Sequence, residues 1–198
     1  MSLENFYLIC KEEFEKNSAS MNDTLKAHGM HKPGKFCEDT ITEIFRTVEL
    51  DYFSHGKNTH IKLSPDQQVV YGGKKKFQAD GYIPSLGMYL ESKCHSFGMS
   101  GTCNEKLAGF LDKAFLYDKP CLLILGGEFE LYMHAESNII LAMDNQFDIT
   151  PEQKIIAERS FIGQSTKYLL EHKGLKICKL SNLKAFLQQQ KSINAISA

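Results

Sequence analysis

The chain lacks the features that assign many proteins at sight. It has no apolar run long enough to span a membrane. Residues 1 to 17 carry acids throughout and hold no continuous apolar region, so no signal peptide is expected. The six cysteines are scattered, with no Cys-x-x-Cys and no paired ligand spacing, and indicate neither a zinc ribbon nor a disulfide framework. Cys94, Cys121 and Cys178 lie in apolar strand patterns and read as small buried hydrophobes of a reduced, cytoplasmic protein. His28 and His31, near Cys37, have no second tight pair beside them and read as polar surface histidines. A formal charge of −1 supplies no overall basic field for a nucleic acid. Repeats and low-complexity linkers are missing too. The 198 residues, 42% of them hydrophobic, therefore read as one domain, 1–198, with a core of its own.

What is present begins with Ser2, which can cap a helix carrying Leu3, Phe6, Tyr7, Cys10 and Phe14 on one stripe. Residues 18–38 are polar, broken by Gly29, Pro33 and Gly34, and read as a loop or short-helix region. Asp39 or Thr40 then opens a second helix with Ile41, Ile44, Phe45 and Val48 on its buried face. Residues 60–63 and 68–71 suggest a strand or hairpin, with Gly72 and Gly73 as its turn. Further on, Thr102 with Glu105 forms a capping box before Leu107, Phe110, Leu111, Ala114 and Phe115 at helical spacing. Residues 121–125 are continuously apolar, as in a central strand buried on both faces. Residues 129–134 and 138–142 read as further strands. Thr150-Pro151-Glu152 starts a helix that Gly163 can interrupt, 175–180 is a last strand, and Ser181 caps a last helix that ends near Gln190.

The centre of the chain is Phe77-Gln78-Ala79-Asp80-Gly81, followed by Tyr89-Leu90-Glu91-Ser92-Lys93. Around Asp80, Phe77, Ala79 and Gly81 alternate with Gln78, Asp80 and Tyr82. In the second segment Met88, Leu90, Ser92 and Cys94 take one face, and Tyr89, Glu91 and Lys93 the other. Pro84-Ser85-Leu86-Gly87 between them has turn chemistry, which predicts an antiparallel hairpin. Glu91 and Lys93 then point the same way, and cross-strand pairing brings Asp80 alongside. Two carboxylates and a lysine at one spot make a hard oxygen-donor site for a cation with an amine beside it.

Asp80, ten intervening residues, Glu91-Ser92-Lys93 and a following helix resemble the PD-(D/E)XK nuclease superfamily, and within it the type II restriction endonucleases. The stretches Ser100-Gly101-Thr102-Cys103-Asn104-Glu105-Lys106-Leu107 and Lys119-Pro120-Cys121-Leu122-Leu123-Ile124-Leu125 extend that likeness, which covers about residues 39–133. Ala79 stands where the superfamily usually has proline. The resemblance implies an α/β fold with a mixed central β-sheet flanked by helices. It implies a Mg2+ held by Asp80, Glu91 and the carbonyl of Ser92, with Lys93 orienting the attacking water. It also implies an acid from the helix before the sheet, for which Glu43 is the candidate; its other reading is an exposed surface glutamate. The implied activity is sequence-specific cleavage of double-stranded DNA to 5′-phosphate and 3′-hydroxyl ends by a homodimer, as in restriction-modification systems.

Contacts to DNA phosphates are expected from Lys74, Lys75, Lys76 and Gln78, and from Ser100, Thr102 and Asn104 at a helix N-terminus. The lysine run has a second reading, a solvated strand entrance. Glu105 serves as a capping partner or joins the active-site network. Rival functions are a structure-selective repair or junction-resolving nuclease, and an inactive DNA-binding module on the same fold. A thiol hydrolase using Cys94 and His95 is disfavoured, because neighbouring strand residues face opposite ways. Asp80, Glu91 and Lys93 could also form only a surface charge cluster.

Overall fold

A run such as Cys121-Leu122-Leu123-Ile124-Leu125 has no face to give to water, so its strand must be covered on both sides. In the computed structural model, which describes residues 1–15, 27, 33–54, 56–70, 77–95, 103–131 and 135–197, it is. Strand β3 (Cys121–Gly127) is buried at every position. It pairs in parallel with β2 (Met88–His95) on one side and with β4 (Lys176–Lys179) on the other. β1 (Gly81–Ile83) lies antiparallel on the outer edge of β2, giving a mixed four-stranded sheet in the order β1-β2-β3-β4.

Among the described residues the α-helices are, in chain order, α1 (Leu3–Glu15), α2 (Pro33–Thr47), α3 (Pro65–Val70), α4 (Cys103–Ala114), α5 (Ala135–Met143), α6 (Pro151–Arg159), α7 (Phe161–His172) and α8 (Leu183–Ser197), with Ala27 also helical. The period of two along β3 divides the core between the two faces. Leu122 and Ile124 join Phe6 of α1, Ile41 and Phe45 of α2 and Leu187 of α8. Leu123 and Leu125 join Phe110 and Leu111 of α4, Ile140 of α5 and Leu169 of α7. Leu122, Leu123, Ile124 and Leu125 are each 0% exposed, and full burial of such a side chain contributes roughly 1.5–3 kcal/mol. The chain is thus a mixed α/β fold with a mixed sheet flanked by helices. No helix among the described residues is long and apolar enough to cross a membrane.

The expected hairpin is present, with Pro84–Leu86 as a 3-10 turn and Gly87 in the left-handed region at φ 62. Ser2 caps α1, its Oγ accepting from the Asn5 amide at 3.2 Å. Thr150 closes a capping box with Gln153 at the head of α6.

Several expectations require correction. The second helix starts at Pro33 and not at Asp39 or Thr40; proline suits a first helical position, and Cys37 is a core residue at 1% exposure. Residues 65–70 form helix α3 instead of part of a strand. Ser64 and Gln67 cap it reciprocally, with Ser64 N to Gln67 Oε1 at 2.8 Å and Gln67 N to Ser64 Oγ at 3.3 Å. Residues 60–63 form no strand; the strand-like contact there is an isolated antiparallel bridge of His60 with Gln78, in which Ile61 N donates to the Phe77 carbonyl at 3.0 Å. Residues 138–142 are helical, within α5, where Ser137, Ile140 and Leu141 are buried at helical spacing and tertiary packing overrides the strand propensity of the isoleucines. Residues 128–131 form a turn after β3, and 132–134 lie outside the described residues. The break predicted at Gly163 falls at Ser160, whose Oγ caps α7 by accepting from Gly163 N at 3.0 Å. Gly163 permits that corner, since a Cβ there would lie 1.9 Å from the Ala157 carbonyl oxygen. A 3-10 turn, Leu180–Asn182, precedes α8, which continues to Ser197 rather than ending near Gln190.

Candidate active site

β2 turns Tyr89, Glu91 and Lys93 towards α4, and Leu90 and Ser92 the other way. Glu91 is only 1% exposed, and a carboxylate so placed must be paired. Lys93 Nζ donates to its Oε2 at 2.8 Å. Lys113 Nζ and the Tyr117 hydroxyl both donate to Oε1. Those two donors stand four residues apart, and the last turn behind α4 carries Tyr117 onto the side of Lys113, with Tyr117 N bonded to the Ala114 carbonyl at 3.2 Å. Tyr89 braces Tyr117 edge-on at 5.3 Å, and its hydroxyl donates to Asp118 Oδ1 at 2.9 Å.

Asp80 sits just before β1. The pairing of Gly81 with Leu90 sets it beside Glu91. Its Oδ2 accepts from the Ser92 amide at 2.9 Å and lies 3.5 Å from Lys93 Nζ. Lys93 Nζ also donates to the Ser92 carbonyl at 3.4 Å. One ammonium therefore gathers an oxygen from Asp80, one from Glu91 and one from the backbone between Glu91 and Lys93. The simple alternation expected around Asp80 does not hold. The chain bends at Asp80, so that Ala79 and Tyr82 both pack on the α4 side while Gly81 meets Tyr52. Gly81 is required there: a Cβ would stand 2.3 Å from the Tyr52 ring.

The surroundings push the two carboxylates in opposite directions. Burial, and then the neighbouring Glu91 charge, push the Asp80 carboxyl above its ordinary range, against the pull of Lys93 and the Ser92 amide. Burial acts the same way on Glu91, but Lys93 and Lys113 outweigh it and hold that carboxyl below the ordinary range. Lys93 is 18% exposed. Burial favours its neutral form, yet Glu91 and Asp80 prevail and keep it a firm ammonium. Burial and the Glu91 charge push the Tyr117 hydroxyl up, so it stays a donor.

Beside Asp80 opens a cleft of about 150 Å³, walled by Lys35, Glu38 and Thr42 of α2, by Tyr52, and by Asp80 and Ser92. Burial, then the charges of Asp80 and Glu38, push the Tyr52 hydroxyl up to about 12. Glu43, the acid singled out on this helix, is not brought to the cluster. It lies on the outer face of α2, paired with Arg46 at 2.7 Å. Glu38, five residues earlier, is the helix acid that borders the cleft.

Of the other expected site residues, Lys74, Lys75, Lys76, Ser100 and Thr102 lie outside the described residues, as do His28 and His31. Asn104 falls in the first turn of α4. Gln78 is exposed, and its Nε2 donates to Thr59 Oγ1 at 2.8 Å. Sequence reasoning missed Lys113, Tyr117, Tyr52 and Glu38. The spacing of Lys113 and Tyr117 was a legible signal for the first two. For Glu38 it was the run Cys37, Ile41, Phe45, Val48, which extends the helix back past Glu38.

Among the described residues, no three His, Cys, Asp or Glu side chains form a metal-holding group. That donor set does not suit structural zinc, which takes four protein ligands. It does fit Mg2+, which is held through one or two carboxylates and keeps several waters; Asp80, Glu91 and the Ser92 carbonyl are the donors available. Comparison with known proteins assigns nothing further, since no family model, curated protein or solved structure matches the chain.

Proposed function

We propose that this protein is a Mg2+-dependent endonuclease of double-stranded DNA, built on a PD-(D/E)XK-like core and acting at specific sequences in the manner of type II restriction enzymes. The observation that carries this reading is the convergence of oxygens from Asp80, Glu91 and Ser92 on Lys93 Nζ, at 3.5, 2.8 and 3.4 Å. A bare surface charge cluster does not account for a carboxylate buried to 1% exposure and held by three donors.

When bound at these oxygens, Mg2+ supplies charge neutralisation at a phosphodiester and lowers the pKa of a bound water. The protein's groups have separate tasks around it. Lys93, an ammonium at the junction of both carboxylates, orients the attacking water and stabilises the charge that gathers on the phosphorus oxygens. Lys113 and Tyr117 fix the Glu91 carboxylate, so its placement costs nothing at the moment of reaction. Asp80, anchored on one oxygen by the Ser92 amide, borders the open cleft and is the more adaptable donor. Glu38, which borders the same cleft as Asp80, takes the part of the helix acid.

The test is incubation of the purified protein with several unmethylated duplexes of known sequence, with Mg2+ and with EDTA, and sequencing of the fragment ends. Discrete metal-dependent fragments with 5′-phosphates, sharing a short palindrome, support the proposal and its two-fold symmetric assembly. Cleavage confined to branched or damaged DNA overturns the sequence-specific part. The absence of cleavage on every substrate overturns the catalytic part.

A further inference from the structure

Glu91 is met by more positive charge than the reaction proposed above demands. Lys93 reaches Oε2 along the strand, and a second ammonium, Lys113, reaches Oε1 from α4 together with the Tyr117 hydroxyl. A carboxylate oxygen offers two lone pairs, so Oε1 is saturated by these two donors. Lys113 is not tied elsewhere as tightly. Its side chain is 24% exposed, and its Nζ lies 5.9 Å from the centre of the Tyr117 ring. Part of its side chain already meets solvent.

A divalent ion approaching Glu91 therefore meets a competitor already in place. Taking Oε1 means displacing Lys113 or Tyr117, and taking Oε2 still leaves a unit positive charge a few ångströms away. We propose that Lys113 is a positioning residue that acts as a resident counter-ion, holding the Glu91 carboxylate in place and competing with the divalent ion for it. Lys113 thereby sets how tightly the site takes the ion. Monovalent ions carry no more charge than the ammonium they would replace and gain nothing by exchange, so the site answers only to ions of higher charge. This inference rests on the metal-dependent reading of the site.

The experiment is calorimetric titration of Mn2+ into the full chain without DNA, a readout separate from turnover. Lys113→Met removes the competing charge, and Lys113→Gln removes it while keeping a hydrogen-bond donor for Oε1. Both should bind Mn2+ about tenfold tighter than the wild type or better, as expected for a like charge removed from a partly buried site. Lys113→Arg should bind as the wild type does. Adding Glu91→Gln to Lys113→Gln should abolish the gain. Unchanged or weaker Mn2+ binding in Lys113→Gln, with wild-type binding still dependent on Glu91, overturns the competition and leaves the metal site standing. If binding depends on Glu91 in none of these proteins, the metal reading falls and this inference falls with it.

Discussion

Asp80 and Glu91 are neighbours across one hairpin, yet the fold treats them oppositely. Glu91 is enclosed on the α4 side of the sheet, 1% exposed, with two lysines and a tyrosine on its oxygens. Asp80 stands at the mouth of the α2-side cleft with 39% of its side chain exposed, one backbone amide at 2.9 Å and Lys93 at 3.5 Å. The first is a fixed charge built into the core. The second is a donor whose surroundings leave it room to move. Burial acts on both, and what separates them is the number of cations within reach: two touch Glu91, and one stands off from Asp80.

Removing the ammonium that both share breaks the comparison most severely. Lys93→Ala should lower the cleavage rate by about 10²–10³ or more, the scale of losing one donor aimed at developing charge, with DNA binding largely kept. Gel-shift and single-turnover assays on the same DNA check this, and retained turnover removes Lys93 from the mechanism. Next come the carboxylates themselves. Glu91→Ala removes the carboxylate between Lys93 and Lys113, leaving Asp80 at 3.5 Å from Lys93 as the remaining counter-charge, and should cost about 3–5 kcal/mol in urea unfolding. Asp80→Asn keeps an acceptor for the Ser92 amide and relieves repulsion with Glu91, so stability should be unchanged or slightly raised. Equal losses in both variants would erase the distinction.

A smaller and sharper effect lies in the pH dependence. The folded-state pKa of Asp80 is raised, so its contribution to stability is full below the unfolded value and is lost as pH rises through the folded one. That of Glu91 is depressed, so its contribution is present above the unfolded value and is lost as pH falls through the folded one. Asp80→Asn should thus remove a decline in stability just above the ordinary carboxylate range, and Glu91→Gln a decline just below it. Urea midpoints taken across that range check both, and interchanged behaviour would contradict the assignment. The smallest predicted effect separates the two acids of α2. Glu38→Gln should slow cleavage by about tenfold, less than the roughly 10²–10⁴-fold of a group that transfers the proton itself. Glu43→Gln, altering a pair exposed on the helix surface, should match the wild type in rate measurements.

What the sequence made legible follows from periodicity. The hairpin, the face shared by Glu91 and Lys93 and the doubly buried β3 rest on a period of two, and all are present; the caps at Ser2 and Thr150 rest on local side-chain chemistry and are present too. The misses have physical causes. The polar stretch before Asp39 obscures the start of α2, and with it Glu38, which borders the cleft where Glu43 does not. The isoleucines of α5 signal strand locally, but burial of Ser137, Ile140 and Leu141 decides for helix. The spacing of Lys113 and Tyr117 puts them on one side, but their pairing with Glu91 is not readable from sequence, because contacts 22 and 26 residues apart depend on how α4 crosses β2.

The central claim is that Asp80, Glu91 and the Ser92 carbonyl hold one divalent ion beside Lys93. Anomalous diffraction from crystals soaked in Mn2+ tests it most directly. A single strong peak within coordination distance of both carboxylates, with Lys93 still alongside, is expected. Well-ordered Asp80 and Glu91 with no peak between them, and Lys93 still bridging the pair at saturating Mn2+, would contradict it.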